Sequence, residues 1–307
     1  MTDIILHHYD ASPFTQKALR MLGLKKLEWL SVETPMILPK PDLVCLTGGY
    51  RGTPVMQIGA DIYIDSQCIG RELERRFPEP SFFPATDPGL GYGLVKWSDE
   101  FFHAALTMVL ALLGPDWDQS FREDRQALFA DVDFDIAEPD LLHAMAQFRT
   151  HAALLDAQLA DGRLFLTGDA PGLADIQAFG VPWFTRAAMP VTEQLLGKFS
   201  HLPAWEARVA ELGEGERQVI EAAEAHRVAR DHSPDLGTDV DPDEPQQLTA
   251  GKPVRVESDD FSKRGAVDGL LLRASALELA IHRSTDDFGD LVIHFPRLGY
   301  RVEARND

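Results

Sequence analysis

Three short segments carry residue types whose chemistry would combine. In Ser12-Pro13-Phe14-Thr15-Gln16-Lys17-Ala18, a hydroxyl stands where a strand turns into a helix. The positive end of a helix and its free N–H groups favour an anion there, and a thiolate is such an anion. A free thiol with pKa ~8.5 is mostly protonated at neutral pH, so a hydrogen bond from Ser12 would favour the ionised form. Taken alone, Ser12 reads first as a plain helix cap. In Thr53-Pro54-Val55, a proline just ahead of a strand either starts that strand or carries a cis bond. A cis bond would turn the backbone groups of Val55 toward an extended peptide. Asp65-Ser66 follows a strand and opens a helix. It offers an acid for an ammonium, and a hydroxyl with helix N–H groups for a carboxylate; the alternative is again a cap.

The elements that must position these residues follow from pattern and punctuation. Ile4–Leu6 is an apolar strand, and Phe14–Leu24 a helix that Pro13 starts and Gly23 helps to stop. Leu27–Val32 is a second strand, followed by an irregular stretch containing Pro35, Pro39 and Pro41. Val55–Ile58 and Asp61–Ile64 form a hairpin about Gly59-Ala60, and Gln67–Phe77 is a helix ended by Pro78 and Pro80. This β-α-β, β-β-α order is the thioredoxin-like plan and spans 1–84. From 88 to 230 the period is helical: Val95–Leu113, Leu141–Leu159, Leu173–Phe184 and Pro203–Ala229. Residues 231–250 are polar and acidic and read as a linker. In 251–307 the period becomes two, with strands at Pro253–Glu257, Gly269–Arg273, Glu278–His282, Leu291–Phe295 and Tyr300–Ala304. The expected architecture is α+β and multidomain: a thioredoxin-like domain, an all-α domain and a small antiparallel β domain.

Composition excludes several classes. The 307 residues are 45% hydrophobic and 25% charged, ordinary for a globular protein. A formal net charge of -20 repels phosphate backbones and anionic membranes, so neither nucleic acid nor membrane is an expected partner. No apolar run is long enough to span a bilayer, and the N-terminus has no signal-peptide pattern. The two cysteines, Cys45 and Cys68, form no CxxC, which argues for a reducing, cytoplasmic setting. No metal site is expected: His7 and His8 point to opposite faces of a strand, and His143 and His151 lack a carboxylate pattern. Gly89-Leu90-Gly91-Tyr92-Gly93 reads as a loop, Cys68 as a buried helix residue, and His294-Phe295-Pro296-Arg297 as a strand end.

In this order and spacing, the three segments resemble the glutathione transferases. Ser12-Pro13-Phe14 looks like the active-site turn of the serine-type tau class; the related omega class has Cys at that position, which disfavours a thioltransferase. Thr53-Pro54-Val55 is similar to the segment that binds the cysteinyl backbone of glutathione, and Asp65-Ser66 to the pair that binds its γ-glutamyl group. Phe165-Leu166-Thr167-Gly168 with Pro171-Gly172-Leu173-Ala174-Asp175-Ile176 looks like the family's late capping box. Gly172 stands there in place of Ser or Thr, which makes Asp175 structural. The resemblance spans roughly residues 1–228. It departs at Gly52, where the family often has a base for the glycyl carboxylate; Arg51 and Lys40 are the candidates here.

The resemblance implies a transferase with glutathione as co-substrate and Ser12 as the catalytic residue. Phe14, Arg51, Thr53, Pro54, Val55, Asp65 and Ser66 would bind glutathione. Tyr9, Trp97, Phe101 and Trp117 would wall the second-substrate cleft between the domains, with aromatic core packing as the alternative for each. The activity implied is conjugation to an electrophile or reduction of a peroxide. A homodimer is implied as well. The rival reading is a non-catalytic protein of the same fold that binds or regulates through its C-terminal β region.

Overall fold

The computed structural model describes residues 3–85, 88–129, 132–260 and 262–305. Strand β1 (Ile4–His8) lies parallel to β2 (Glu28–Glu33) and antiparallel to β3 (Val55–Ile58), which pairs in turn with β4 (Asp61–Ile64). Helix α1 (Pro13–Leu24) starts as its sequence dictates: Ser12 caps it and Pro13 occupies the first turn. Helix α2 (Pro41–Thr47) lies in the stretch expected to be irregular. Pro41 there is a helix-starting residue, and the helix ends at Gly48, whose φ of 76° suits glycine. Helix α3 (Ser66–Arg76) follows β4.

The helical part comprises α4 (Pro88–Leu113), α5 (Gln119–Leu128), α6 (Glu138–Gln158), α7 (Leu173–Ala188), α8 (Val191–Leu196) and α9 (Leu202–Ala210). Gly89-Leu90-Gly91-Tyr92-Gly93, expected as a loop, forms the first turns of α4. Gly91 is needed there because a Cβ would meet Phe83 at 2.9 Å. The carboxylate of Asp175, fully buried, accepts from Leu166 N (2.8 Å), Gly172 N (3.0 Å) and Trp205 Nε1 (2.8 Å). The acid thus makes its own half of a capping box, satisfying the Gly172 N–H, while the half that would need a side chain at Gly172 is missing.

The helix expected over Pro203–Ala229 is interrupted. After α9 the chain turns through Gly213 and Gly215, both with positive φ, into β5 (Glu216–Val219), then α10 (Ala222–Asp231). Strand β5 pairs parallel with β2. The expected linker is docked on the fold: β6 (Asp239–Val240) pairs with β8 (Val267–Ala274), and buried Glu244 accepts from Arg297 Nη2 at 2.7 Å.

The five C-terminal strands are β7 (Pro253–Ser258), β8, β9 (Glu278–Thr285), β10 (Gly289–Pro296) and β11 (Tyr300–Ala304), mutually antiparallel. They continue the N-terminal sheet in the order β11-β7-β8-β9-β10-β4-β3-β1-β2-β5. The seam is parallel, with Val292, Ile293 and His294 opposite Asp61, Ile62 and Tyr63. One apolar core runs beneath both halves, joining Ile62, Ile64 and Val55 to Ile281, Ile293 and Phe295. Buried His294 pins the seam: Nε2 reaches Asp61 Oδ1 at 2.8 Å, Nδ1 reaches Glu278 Oε1 at 2.9 Å, and the ring stacks on Tyr63. Burial opposes a charge on this imidazole, but the two carboxylates outweigh it and raise its pKa.

Candidate active site

The strand-to-helix turn between β1 and α1, the end of α2's preceding loop, the start of β3 and the helices α4, α5 and α7 enclose a cavity of about 300 Å³. Ser12 lines it and is 3% exposed. Its Oγ accepts from Thr15 N at 3.3 Å as the helix cap, so one lone pair serves structure. Among the described residues the hydroxyl proton has no acceptor, leaving it available to a group in the cavity. Phe14 lines the same cavity and packs edge-on against Phe102 of α4.

Thr53 and Pro54 enter β3 through a cis peptide bond. Thr53 borders both this cavity and an adjoining recess of about 40 Å³ that Pro54, Asp65, Ser66 and Arg264 also line. Val55 places its side chain in the sheet core. Asp65, with φ 75°, caps α3: Oδ1 accepts from Gln67 N at 2.9 Å and Oδ2 accepts from Tyr300 Oη at 3.2 Å. Ser66 opens the same helix and is buried.

Four cations collect around the larger cavity: Lys40, Arg51, Arg125 and Arg264. Arg51 donates to Asp124 of α5, whose Oδ1 also accepts from Leu38 N at 3.0 Å. Lys40 is 4% exposed and lies over the Tyr9 ring at 5.3 Å, with no carboxylate in ion-pair contact among the described residues. Burial, then the charges of Arg125 and Arg51, lower its pKa from 10.5 to about 8, with Asp124 opposing.

Arg264 could not be found from sequence. It comes from the segment between β7 and β8, 199 positions after Asp65, and no local motif marks it. Its Nη2 donates to Asp260 at 2.7 Å, its Nη1 lies 3.5 Å from Asp65 Oδ2, and Arg51 N donates to its carbonyl at 2.7 Å. Burial opposes its charge, but Tyr50, Tyr300, Asp65 and Asp260 hold its pKa above the ordinary arginine value. The continuous sheet, together with the Arg51 N–Arg264 O bond, brings this residue to the N-terminal site.

Of the expected second-substrate walls, Tyr9 and Trp117 line the cavity. Trp97 and Phe101 do not. They sit on the other face of α4, packed with Phe148 and His151 of α6, because the helical stripe that carries them faces the bundle core. The walls that sequence reasoning missed are Phe102, Phe121, Phe129 and Phe184. A second cavity of about 320 Å³ lies along α3 and includes Cys68, whose thiol burial pushes well up in pKa, away from nucleophilic chemistry. His7 and His8 are buried against Gln57 and Ser31, and no metal-binding cluster occurs among the described residues.

A thioredoxin-like domain joined to a helical bundle, with a hydroxyl at the first helix N-terminus facing the cleft between them, defines the class. The chain belongs to the glutathione transferase superfamily. Residues 6–81 match the glutathione S-transferase N-terminal domain, and residues 102–208 the C-terminal domain. The whole chain is similar to a GST-like protein from Pseudomonas syringae: 34% identity, TM-score 0.82, covering 99% of this chain and 100% of that one. That likeness extends through the C-terminal strands. The tau-class glutathione S-transferase MiGSTU from mango, Mangifera indica, shares the fold at 20% identity and TM-score 0.51, over 68% of this chain and 88% of that one. The theta-class glutathione S-transferase from Xanthomonas axonopodis pv. citri, solved with glutathione bound, does so at 19% identity and TM-score 0.51, over 70% and 98%. No curated protein matches the chain.

Proposed function

We propose that the protein is a glutathione-dependent transferase with Ser12 as its catalytic residue. The observation that carries this reading is the Ser12 hydroxyl: buried, capping α1, its proton without an acceptor among the described residues, and lining a cavity that Lys40 and Thr53 share. In this reading the glycyl carboxylate sits on Lys40, since Arg51 is engaged by Asp124. The cysteinyl backbone runs along Thr53-Pro54-Val55. The γ-glutamyl group takes Asp65 and Ser66, with Arg264 adding a donor for its carboxylate. Phe14 holds the peptide from the α1 side.

The energetics are adequate. Lowering a thiol pKa from ~8.5 to ~6.5 requires about 2.7 kcal/mol of preference for the thiolate. A hydrogen bond to a charged group contributes about 1.5–3 kcal/mol, and a helix N-terminus about 0.3–1 kcal/mol more. The thiolate then attacks an electrophile and displaces its leaving group, or reduces a peroxide, with a second glutathione taking the oxidised sulfur into a disulfide. A cytoplasmic homodimer completes the proposal.

Calorimetric titration with glutathione tests it. Binding in the micromolar to low-millimolar range, weakened by Asp65→Ala and Ser66→Ala, is the expected result. A second reading, a non-catalytic binding or regulatory protein of this fold, draws support from the γ-glutamyl recess: Tyr300 already donates to Asp65, and Arg264 leaves only about 40 Å³ there. Absence of glutathione binding by the folded protein would favour that reading and sink the first.

A further inference from the structure

We propose that the second substrate is a small aromatic carboxylate, its ring held by the phenylalanine wall of the cavity and its carboxylate by Arg125. The proposal rests on the glutathione reading above and goes beyond it by naming the electrophile's class.

The first observation is charge balance. Lys40, Arg51 and Arg125 stand close enough to influence one another, and among the described residues Asp124 is the one carboxylate in ion-pair contact with any of them. Arg51 takes the closer contact with Asp124; Arg125 Nη2 lies 3.5 Å from its other oxygen. With the glycyl carboxylate of glutathione on Lys40, Arg51 and Arg125 still share the single carboxylate of Asp124, and Arg125, at 3.5 Å, is the more loosely held of the two.

The second observation is how Arg125 is held. It is more than nine-tenths buried, yet its Nε has no hydrogen-bond partner. Nη2 donates to the Met36 carbonyl, and the guanidinium lies over the Phe121 ring at 4.8 Å. A buried guanidinium with an unused donor is costly unless an anion meets it. A carboxylate matches its planar fork better than a point anion does. The third observation is the wall beside it. Phe102, Trp117, Phe121, Phe129 and Phe184 line the same cavity and offer aromatic faces to a ring. A ring with one anionic group satisfies both surfaces.

In transfer to such a substrate, 4-(chloromethyl)benzoate for example, the S–C bond forms as the C–Cl bond breaks. Chloride leaves with the bonding electrons, and the thiol proton passes to water. The test is a titration with two product conjugates of equal shape, S-(4-carboxybenzyl)glutathione and S-(4-carbamoylbenzyl)glutathione, alongside glutathione itself. The carboxylate conjugate is expected to bind the unaltered protein about tenfold or more tightly than the amide. In Arg125→Met the preference should shrink to within about twofold, and in Arg125→Lys it should fall between the two. Glutathione binding with no preference for the carboxylate overturns this inference alone, as does a preference that survives in Arg125→Met. Failure of all three ligands to bind the folded protein overturns both this inference and the glutathione reading.

Discussion

Replacing Lys40 with Met removes the cation assigned to the glycyl carboxylate while keeping most of the apolar stem that covers Tyr9. Lys40 titrates near pH 8 because it is buried among other cations. Its charged fraction therefore falls from about 0.9 at pH 7 to about 0.1 at pH 9. If glutathione requires the charged form, affinity should drop about tenfold across that range, or about 1.4 kcal/mol. S-methylglutathione is the suitable ligand, since it has no thiol to titrate. Calorimetry at pH 7, 8 and 9 should show this slope in the unaltered protein. In Lys40→Met the slope should be about tenfold shallower, any remainder belonging to the ligand's own amine. At pH 7 the variant should bind about 10- to 100-fold more weakly, the range of a charge-assisted hydrogen bond. Its stability should not fall. A lysine pKa depressed by folding means the unfolded chain binds more protons, so the folded state is penalised below pH 8 and relieved as pH rises toward 10.5. The thermal midpoint of Lys40→Met at pH 7 should equal or exceed that of the parent. Equal pH slopes in the two proteins, or undiminished binding by the variant at pH 7, would refute the assignment.

Ser12→Ala should lower turnover about 10²- to 10³-fold, the scale of losing one preorganised donor, while S-methylglutathione affinity stays within about threefold; retained turnover with a standard electrophile would remove Ser12 from the mechanism. Asp175→Ala strands three buried donors, Leu166 N, Gly172 N and Trp205 Nε1, and should cost ~3–6 kcal/mol in urea unfolding; a loss under ~1 kcal/mol would contradict the capping role. His294 has a raised pKa, so its stabilising charge is fully present below the unfolded value of ~6.5 and is lost as pH rises through the folded value. The gap in thermal midpoint between the parent and His294→Gln should therefore be widest near pH 5.5 and narrow as pH rises; a gap that widens with pH would reverse the sign of the seam's electrostatics.

Local chemistry made much of the N-terminal half legible. Ser12 before Pro13, the Gly59 turn and Asp65 at a strand end each specify their own geometry within a few residues. Pro41 misled because proline both breaks a helix and begins one, and only the following Leu43 and Leu46, buried in the core, decide between them. Strand β5 was concealed inside an apparently helical stretch because its four residues are mostly exposed and carry no alternation. Gly213 and Gly215 were the available signal for a turn there. Trp97 and Phe101 show the limit of periodicity: it identifies the buried face of α4, not what lies across from it. Arg264 and Tyr300 mark a different limit. Their role depends on β10 pairing with β4, a register that no window of sequence contains.

The seam has a consequence for how the protein is made. About 225 residues separate the end of β4 from the start of β10. At about 5–20 residues per second, a ribosome needs roughly 10–45 s to bridge that gap. Throughout it, β4 presents an unpaired backbone edge to whatever strand is near, including the same edge on a neighbouring nascent chain. The first domain therefore begins its life as an incomplete sheet and is closed by a strand synthesised about 225 residues later. A message truncated between Ile64 and Gly289 should yield protein whose β4 edge stays unpaired.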